Sequence, residues 1–439
     1  MAIIASILTV ITIASCLSMF FIRRELRAAL LLMGTITLTL VNIPGVPLHK
    51  ANFLLPICFL LSEWQYLLSH IKEIWNTPAL RIALAIVILS TIVCALTTRY
   101  VGFISVIREE LVFKYFAICY AFMAIDDEGS LKPVLNVSLY CLIALTVFGI
   151  LNYIDRSAEL VNALTRGKTS MIFEDQALGD VYATSARFRV LAMFKSPFDY
   201  GYICAAMLLL HMHAWHRYLE SKVDFVIAVA CCLFGVITCG CRIVWAASLF
   251  SVICYYVCCF RVSKNVLLGI AAVVLLVMSY NFIPAVEQKV NSVTDVFKEN
   301  SETRGSSIAM RTTQMTKTFY YVRGHELMGK GKGYFIKEIL KPSLENRETT
   351  GLQGLESVVF AYILERGYVG LSLWIAFYAV IFVYFWRNRQ TMQQLTGLGI
   401  SILSLYMVFA IGTGELSSVY PTMLLLGFVI KAVESGKPT

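Results

Sequence analysis

Apolar stretches follow one another along this chain with short polar connectors between them, and the alternation stops once, from about 281 to 354, before it resumes. Runs near 2–22, 27–42, 51–69, 80–97, 109–125, 133–154, 197–216, 223–240, 242–260, 264–283, 364–386, 395–411 and 416–432 have roughly the length, 17–25 residues, that carries an α-helix across a hydrocarbon core. The pattern predicts an all-α polytopic helical membrane protein with about 12–13 transmembrane helices. One membrane domain over 1–439 would then carry a small polar insert at 155–196 and a large loop at 284–353. Within the loop, the spacing of Met310, Met315, Phe319 and Tyr320 predicts a short amphipathic helix that sets Arg311 and Gln314 one turn apart. A glycine run from Gly329 to Gly333 interrupts the pattern, and helical periodicity returns from Leu355.

Composition agrees with the membrane class. Hydrophobic residues make up 58% of 439 and charged residues 15%, too little polar surface for a water-soluble globule of this size. The first run is followed, not preceded, by Arg23, Arg24 and Arg27, the wrong charge order for a cleavable signal, so it is read as a span. Simple alternation places Arg23/Arg24/Arg27, Lys72/Arg81, Arg217/Lys222, Arg261/Lys264, Arg387/Arg389 and Lys431/Lys437 on one side, which the positive-inside rule makes cytoplasmic. Asp126, Asp127 and Glu128 fall on that side too. The long loop then faces outward. The formal charge of +9 is spread over several faces and forms no nucleic-acid patch; a basic outward loop fits an anionic lipid headgroup better. Most of the thirteen cysteines lie in apolar runs without a C-x-x-C pair, and the six histidines show no ligand spacing, so no metal and no cofactor are expected.

The chemistry should therefore sit at the outward side. Arg187 and Arg189, Arg242 after Gly240 at a tight hairpin, and Arg311 in the loop are placed at span ends, where guanidinium can grip phosphate oxygens bidentately and keep its charge when partly desolvated. Taken singly, each is equally an interfacial arginine that snorkels to water; converging, they would bind a pyrophosphate. Lys330 and Lys332 stand beside Tyr334, whose ring offers a stacking face for a sugar, although the run lacks the spacing of a nucleotide phosphate loop. Glu356 is the candidate base for a sugar hydroxyl, its bland alternative being a charge at a helix N-terminus; Glu365 is a second boundary carboxylate.

The order of these pieces resembles the O-antigen ligase and O-antigen polymerase superfamily of bacterial inner-membrane glycosyltransferases. It rests on the arginine segment before Phe194-Lys195-Ser196-Pro197-Phe198-Asp199-Tyr200-Gly201, Gly240-Cys241-Arg242, Arg311-x-x-Gln314 followed by Gly329-x-Gly331-x-Gly333-x-Phe335, and Glu356 through Glu365-Arg366-Gly367-Tyr368-Val369-Gly370. The resemblance implies a GT-C-like helical fold with a large periplasmic loop and a donor glycan carried on undecaprenyl pyrophosphate. It also implies transfer without a metal, with pyrophosphate bound by Arg242 and Arg311. Arg187, Arg189, Gln314, Lys330, Lys332, Tyr334 and Glu365 would complete the binding surface. Ligases of this kind carry His eleven residues before the glycine at 367, and this chain has Glu356 there, which is more like the polymerases. The expected function is polymerase-type glycosyl transfer to an acceptor sugar hydroxyl, with ligation to lipid A-core as the alternative enzyme and a polysaccharide flippase as the alternative of another class. Expected partners are the lipid-linked glycan, the acceptor, membrane lipids and a chain-length regulator, with no nucleic acid.

Overall fold

The computed structural model describes residues 2–37, 51–155, 189–194, 196–218, 221–259, 308–340, 352, 355, 357–414 and 418–436. Among these residues there is no strand, and the chain is an all-α polytopic membrane protein. Its helices are α1 (Ala2–Ser18), α2 (Arg24–Thr37), α3 (Ala51–Ser62), α4 (Trp64–Asn76), α5 (Pro78–Thr97), α6 (Phe103–Val106), α7 (Ala117–Ala124), α8 (Leu131–Asp155), α9 (Pro197–Tyr218), α10 (Lys222–Thr238), α11 (Arg242–Cys259), α12 (Ile308–Val322), α13 (Val358–Asn388), α14 (Gln393–Thr413) and α15 (Val419–Ser435). Two wide-turn π segments, π1 (Ile107–Tyr115) and π2 (Phe335–Leu340), follow α6 and the glycine run. Five helices among the described residues are long and apolar enough to cross a membrane: α5, α8, α11, α13 and α14.

Two of the expected spans take another form. The run at 51–69 is broken at Glu63 into α3 and α4, because the Glu63 carboxylate turns toward Arg24 and Arg27 of α2 at 3.5 and 2.8 Å. The run at 109–125 is divided into π1 and α7. The predicted helix at 264–283 lies outside the described residues.

α11 runs along α14, α15 along α7, α13 along α5, and α9 packs on both α10 and α14. Helices in lipid gain little from apolar burial against each other, so close contact depends on small residues. Gly427 of α15 leaves no room for a Cβ against the Ile118 carbonyl of α7, and Gly397 of α14 is filled by Cys259 of α11. The cysteines serve the same packing: Cys204 fits against Gly235, and all thirteen are free of disulfides.

The helix ends sort into two layers. At one end lie the starts of α2, α5, α8, α10 and α14 and the ends of α7, α9, α11, α13 and α15, with ion pairs between them: Arg24 with Asp126 at 2.6 Å, Arg217 with Glu128 at 2.7 Å, and Lys431 with Glu73. Asp126 and Glu128 therefore belong with the basic side as partners of its arginines, while Asp127 accepts from Ser130. The opposite end collects the ends of α5, α8, α10 and α14 and the starts of α9, α11, α13 and α15.

Candidate functional site

At this opposite end the α10–α11 hairpin turns through Gly240, whose φ of +62° is a left-handed conformation that suits glycine. A Cβ there would press on the Arg189 side chain at 3.2 Å. The segment that carries Arg189 is held by Val190 N donating to Thr238 O (3.0 Å) and Leu191 N donating to the buried Asn152 amide oxygen of α8 (2.9 Å). Arg189 thus lies beside the hairpin, with its guanidinium 6.0 Å from the Phe198 ring. Arg242 opens α11, half-buried. A cation at the positive end of a helix dipole costs about 0.3–1 kcal/mol, so helix stability does not account for it; an anion bound at that end would be favoured by both charges.

Arg311 comes from α12 in the long loop, and its Nη2 donates to the Gly412 carbonyl in the last turn of α14 (2.8 Å). Gly412 in turn packs so closely on Ile243, the neighbour of Arg242, that no Cβ would fit. Arg311 and the residue that follows Arg242 thus both touch Gly412. Gln314, one turn on from Arg311, is fully buried. Two residues past Gly412, a Cβ on Gly414 would meet Leu355 O and Ser357 C at 3.9 Å. The residues on both sides of position 356 therefore reach the same helix end. Ser357 caps α13 by accepting from Val359 N (3.3 Å). Glu356 itself, like Arg187, lies outside the described residues.

The glycine run does something the sequence did not reveal. α13 is broken at Gly367, with φ 62° and ψ −167°, a conformation essentially confined to glycine. The loop slots into that break. Lys330 N donates to Leu364 O and Gly331 N to Glu365 O, both at 2.9 Å, while Tyr368 N and Val369 N donate to Glu326 O and Leu327 O at 2.8 and 3.1 Å. Backbone groups that the helix loses are taken over by the loop. Gly329 faces the α13 backbone at 365–367 and Gly331 faces Thr97 and Thr98, so neither position admits a side chain. Glu365 accepts from Gly333 N (3.0 Å), and Thr98 donates its hydroxyl to Lys332 O (2.7 Å). Tyr334 packs edge-on against Tyr100, and burial raises its phenol above the ordinary value.

Beneath the loop is a buried charge cluster. Glu110 of π1, 1% exposed, lies 2.7 Å from Lys332 Nζ and 2.7 Å from Arg366 Nη2, and Glu109 is a second partner of Lys332 at 2.9 Å. Lys332 and Glu365 are thus engaged in holding the loop onto α13, while Arg189, Arg242 and Arg311 gather at the hairpin and the α14 end. Sequence reading missed Glu110, Arg366 as its partner and the break at Gly367. The signal for the first was present: Arg108-Glu109-Glu110 is a costly charged entry to an apolar run. Among the described residues no group of three His, Cys, Asp or Glu side chains is placed to hold a metal ion.

Fold and site together define a helical membrane protein with basic side chains from a hairpin and a docked loop meeting at one end of the bundle. Residues 227–375 match the family model described as O-antigen ligase. That segment, about a third of the chain, is similar to the O-antigen ligase family. The matched segment contains Arg242, Arg311, the glycine run and the break in α13 at Gly367. No curated protein matches the chain.

Proposed function

We propose that the protein is a polymerase-type glycosyltransferase that moves a glycan from undecaprenyl pyrophosphate to a sugar hydroxyl at the periplasmic face of the inner membrane. The observation that carries the proposal is the Arg311–Gly412 hydrogen bond, with Ile243, the residue after Arg242, packed on the same glycine and Leu355 and Ser357 near Gly414 two residues further along. The acceptor oxygen attacks the anomeric carbon, the bond from that carbon to the phosphate oxygen breaks, and the hydroxyl proton passes to the Glu356 carboxylate. Negative charge grows on the departing undecaprenyl pyrophosphate, where fixed guanidinium groups stabilise it by preorganised electrostatics. Arg189 and Lys330 extend the basic surface toward the glycan. Pyrophosphate is a good leaving group, so neither an acid catalyst nor a metal is needed in this scheme.

The test is a reconstituted reaction with purified lipid-linked repeat units. Arg242→Ala and Arg311→Ala should each lower turnover by about 100-fold or more, the scale of losing one preorganised charge donor, in protein that elutes and melts normally. Full turnover by Arg242→Ala would end the proposal. Glu356→Gln should be inactive across pH, and an active variant would make Glu356 a helix-end charge. The description of the matching family as O-antigen ligase favours a second reading, transfer to lipid A-core. Chain extension from lipid-linked repeats alone identifies a polymerase, whereas product that appears only when lipid A-core is added identifies a ligase.

A further inference from the structure

α4 is a 13-residue helix, about 20 Å long, well short of the roughly 30 Å needed to cross a bilayer. Its contacts show how it lies. Glu63, just before it, takes Arg24 and Arg27 at the start of α2; the Tyr66 hydroxyl donates to Asp126 (2.7 Å) just past the end of α7; and Glu73 takes Lys431 near the end of α15. Three separate bundle helices are touched at the same end by successive turns of α4. The helix therefore lies crosswise over that end.

Its surface divides three ways along its length. One face, with Leu67, Ile74, Tyr66 and Glu73, is turned to the bundle. A second, at the i, i+4, i+7, i+11 positions, is the apolar row Trp64, Leu68, Ile71 and Trp75, each between 52% and 64% exposed. A third, displaced by a single residue, is the polar row Gln65, Ser69, Lys72 and Asn76, also exposed. A row of tryptophan, leucine and isoleucine directly beside a row of hydrogen-bonding side chains marks a boundary between hydrocarbon and water running along the helix axis. Tryptophan at both ends of the row fits that depth, since the indole prefers the headgroup level. The next turns continue it: Arg81 lies 5.9 Å from the Trp75 ring, and exposed Ile82, Ile88 and Leu89 carry the apolar surface up α5, a spanning helix.

We propose that the row Trp64–Leu68–Ile71–Trp75 is a lipid-docking surface, seated in the boundary layer of the leaflet at the basic end of the bundle, with the polar row facing water. The exposed cations Lys72 and Arg81, which make no ion pair among the described residues, sit at headgroup level beside it. α4 is then a float that fixes how deep this end of the bundle sits.

The full-length chain in phosphatidylcholine–phosphatidylglycerol nanodiscs tests this with two labels read residue by residue by mass spectrometry. A lipid-soluble diazirine should modify Trp64, Leu68, Ile71 and Trp75 several-fold more than the polar row, while hydroxyl radicals generated in water should spare the two tryptophans. Oxidation of Trp64 and Trp75 from the aqueous phase would overturn the proposal. Protection from both labels, together with a dimer mass in the nanodisc, would also overturn it, by giving the surface to a second copy.

Discussion

Glu110 is the residue on which two parts of the molecule meet. Its carboxylate, 1% exposed, faces Lys332 from the long loop and Arg366 from α13, both at 2.7 Å, and Lys114 one turn on at 3.3 Å, so one buried acid holds three bases. Removing one partner of a buried pair strands the remaining charge, at a cost of roughly 3–5 kcal/mol. Lys332 keeps Glu109 as an alternative partner, which puts Glu110→Gln at the lower end of that range. Thermal unfolding of the variant in nanodiscs should show a clear fall in midpoint, and an unchanged midpoint would remove the cluster from the account of how the loop is held. Little of this was legible in the sequence, because Lys332 and Arg366 are more than 200 residues from Glu110 and only its pairing with Lys114, one turn on at 3.3 Å, is local. The placement of Arg242 at a helix end was legible because guanidinium at a span end is conspicuous in an apolar chain, whatever it contacts.

Among the elements, α13 departs furthest from its sequence pattern. Its apolar run reads as one long helix, yet Tyr362 and Trp374, which a straight helix would separate by about 18 Å along its axis, bring their rings to 5.9 Å. The break at Gly367 folds the first part of the helix over the rest. A glycine within an apolar helix usually signals close packing, and the backbone partners that satisfy this break, two acceptors and two donors, come from Glu326–Gly331, so periodicity alone could not locate it. Gly367→Ala would force an alanine into a glycine-only conformation, costing roughly 1–3 kcal/mol, and would push its Cβ into the Leu327 carbonyl. Hydrogen exchange should then accelerate at Tyr368, Val369, Lys330 and Gly331 while the α11–α14 pair keeps its protection. Unaltered exchange at those four amides would mean that the loop is held by side chains alone. The hairpin before Arg242 and the helix around Arg311, by contrast, are where the hydrophobic pattern puts them.

At the scale of the whole molecule, the asymmetry of charge between the two ends is moderated by acid. Asp126 has Arg24 at 2.6 Å and the Tyr66 hydroxyl at 2.7 Å. Partial burial works against its charge, but these two partners outweigh the penalty and hold its carboxyl below the ordinary value. A depressed folded-state pKa gives stability that is complete above the unfolded value, near 3.9, and is lost as pH falls through the lower folded value. Lowering the pH below about 4 should therefore destabilise the wild type more steeply than Asp126→Asn, as read from melting midpoints against pH; parallel curves would show that the pair contributes nothing. Hydropathy gave the class and the ordering of helices, but not which short helices cross the membrane and which lie on it. Apolar residues have the same count in either pose, and only contacts such as those of Glu63 and Glu73 separate the two.

The exchange of backbone bonds between residues 326–331 and α13 bears on how such loops diverge. A long loop between helices is commonly treated as cargo that relatives can trade freely. Here the stretch from Glu326 to Gly333 supplies hydrogen bonds that α13 lacks, so it is as much part of that helix as the helix's own turns. Loops grafted from a relative would seat only if this stretch and the break at Gly367 travelled together, which confines free variation to the portions of the loop on either side of it.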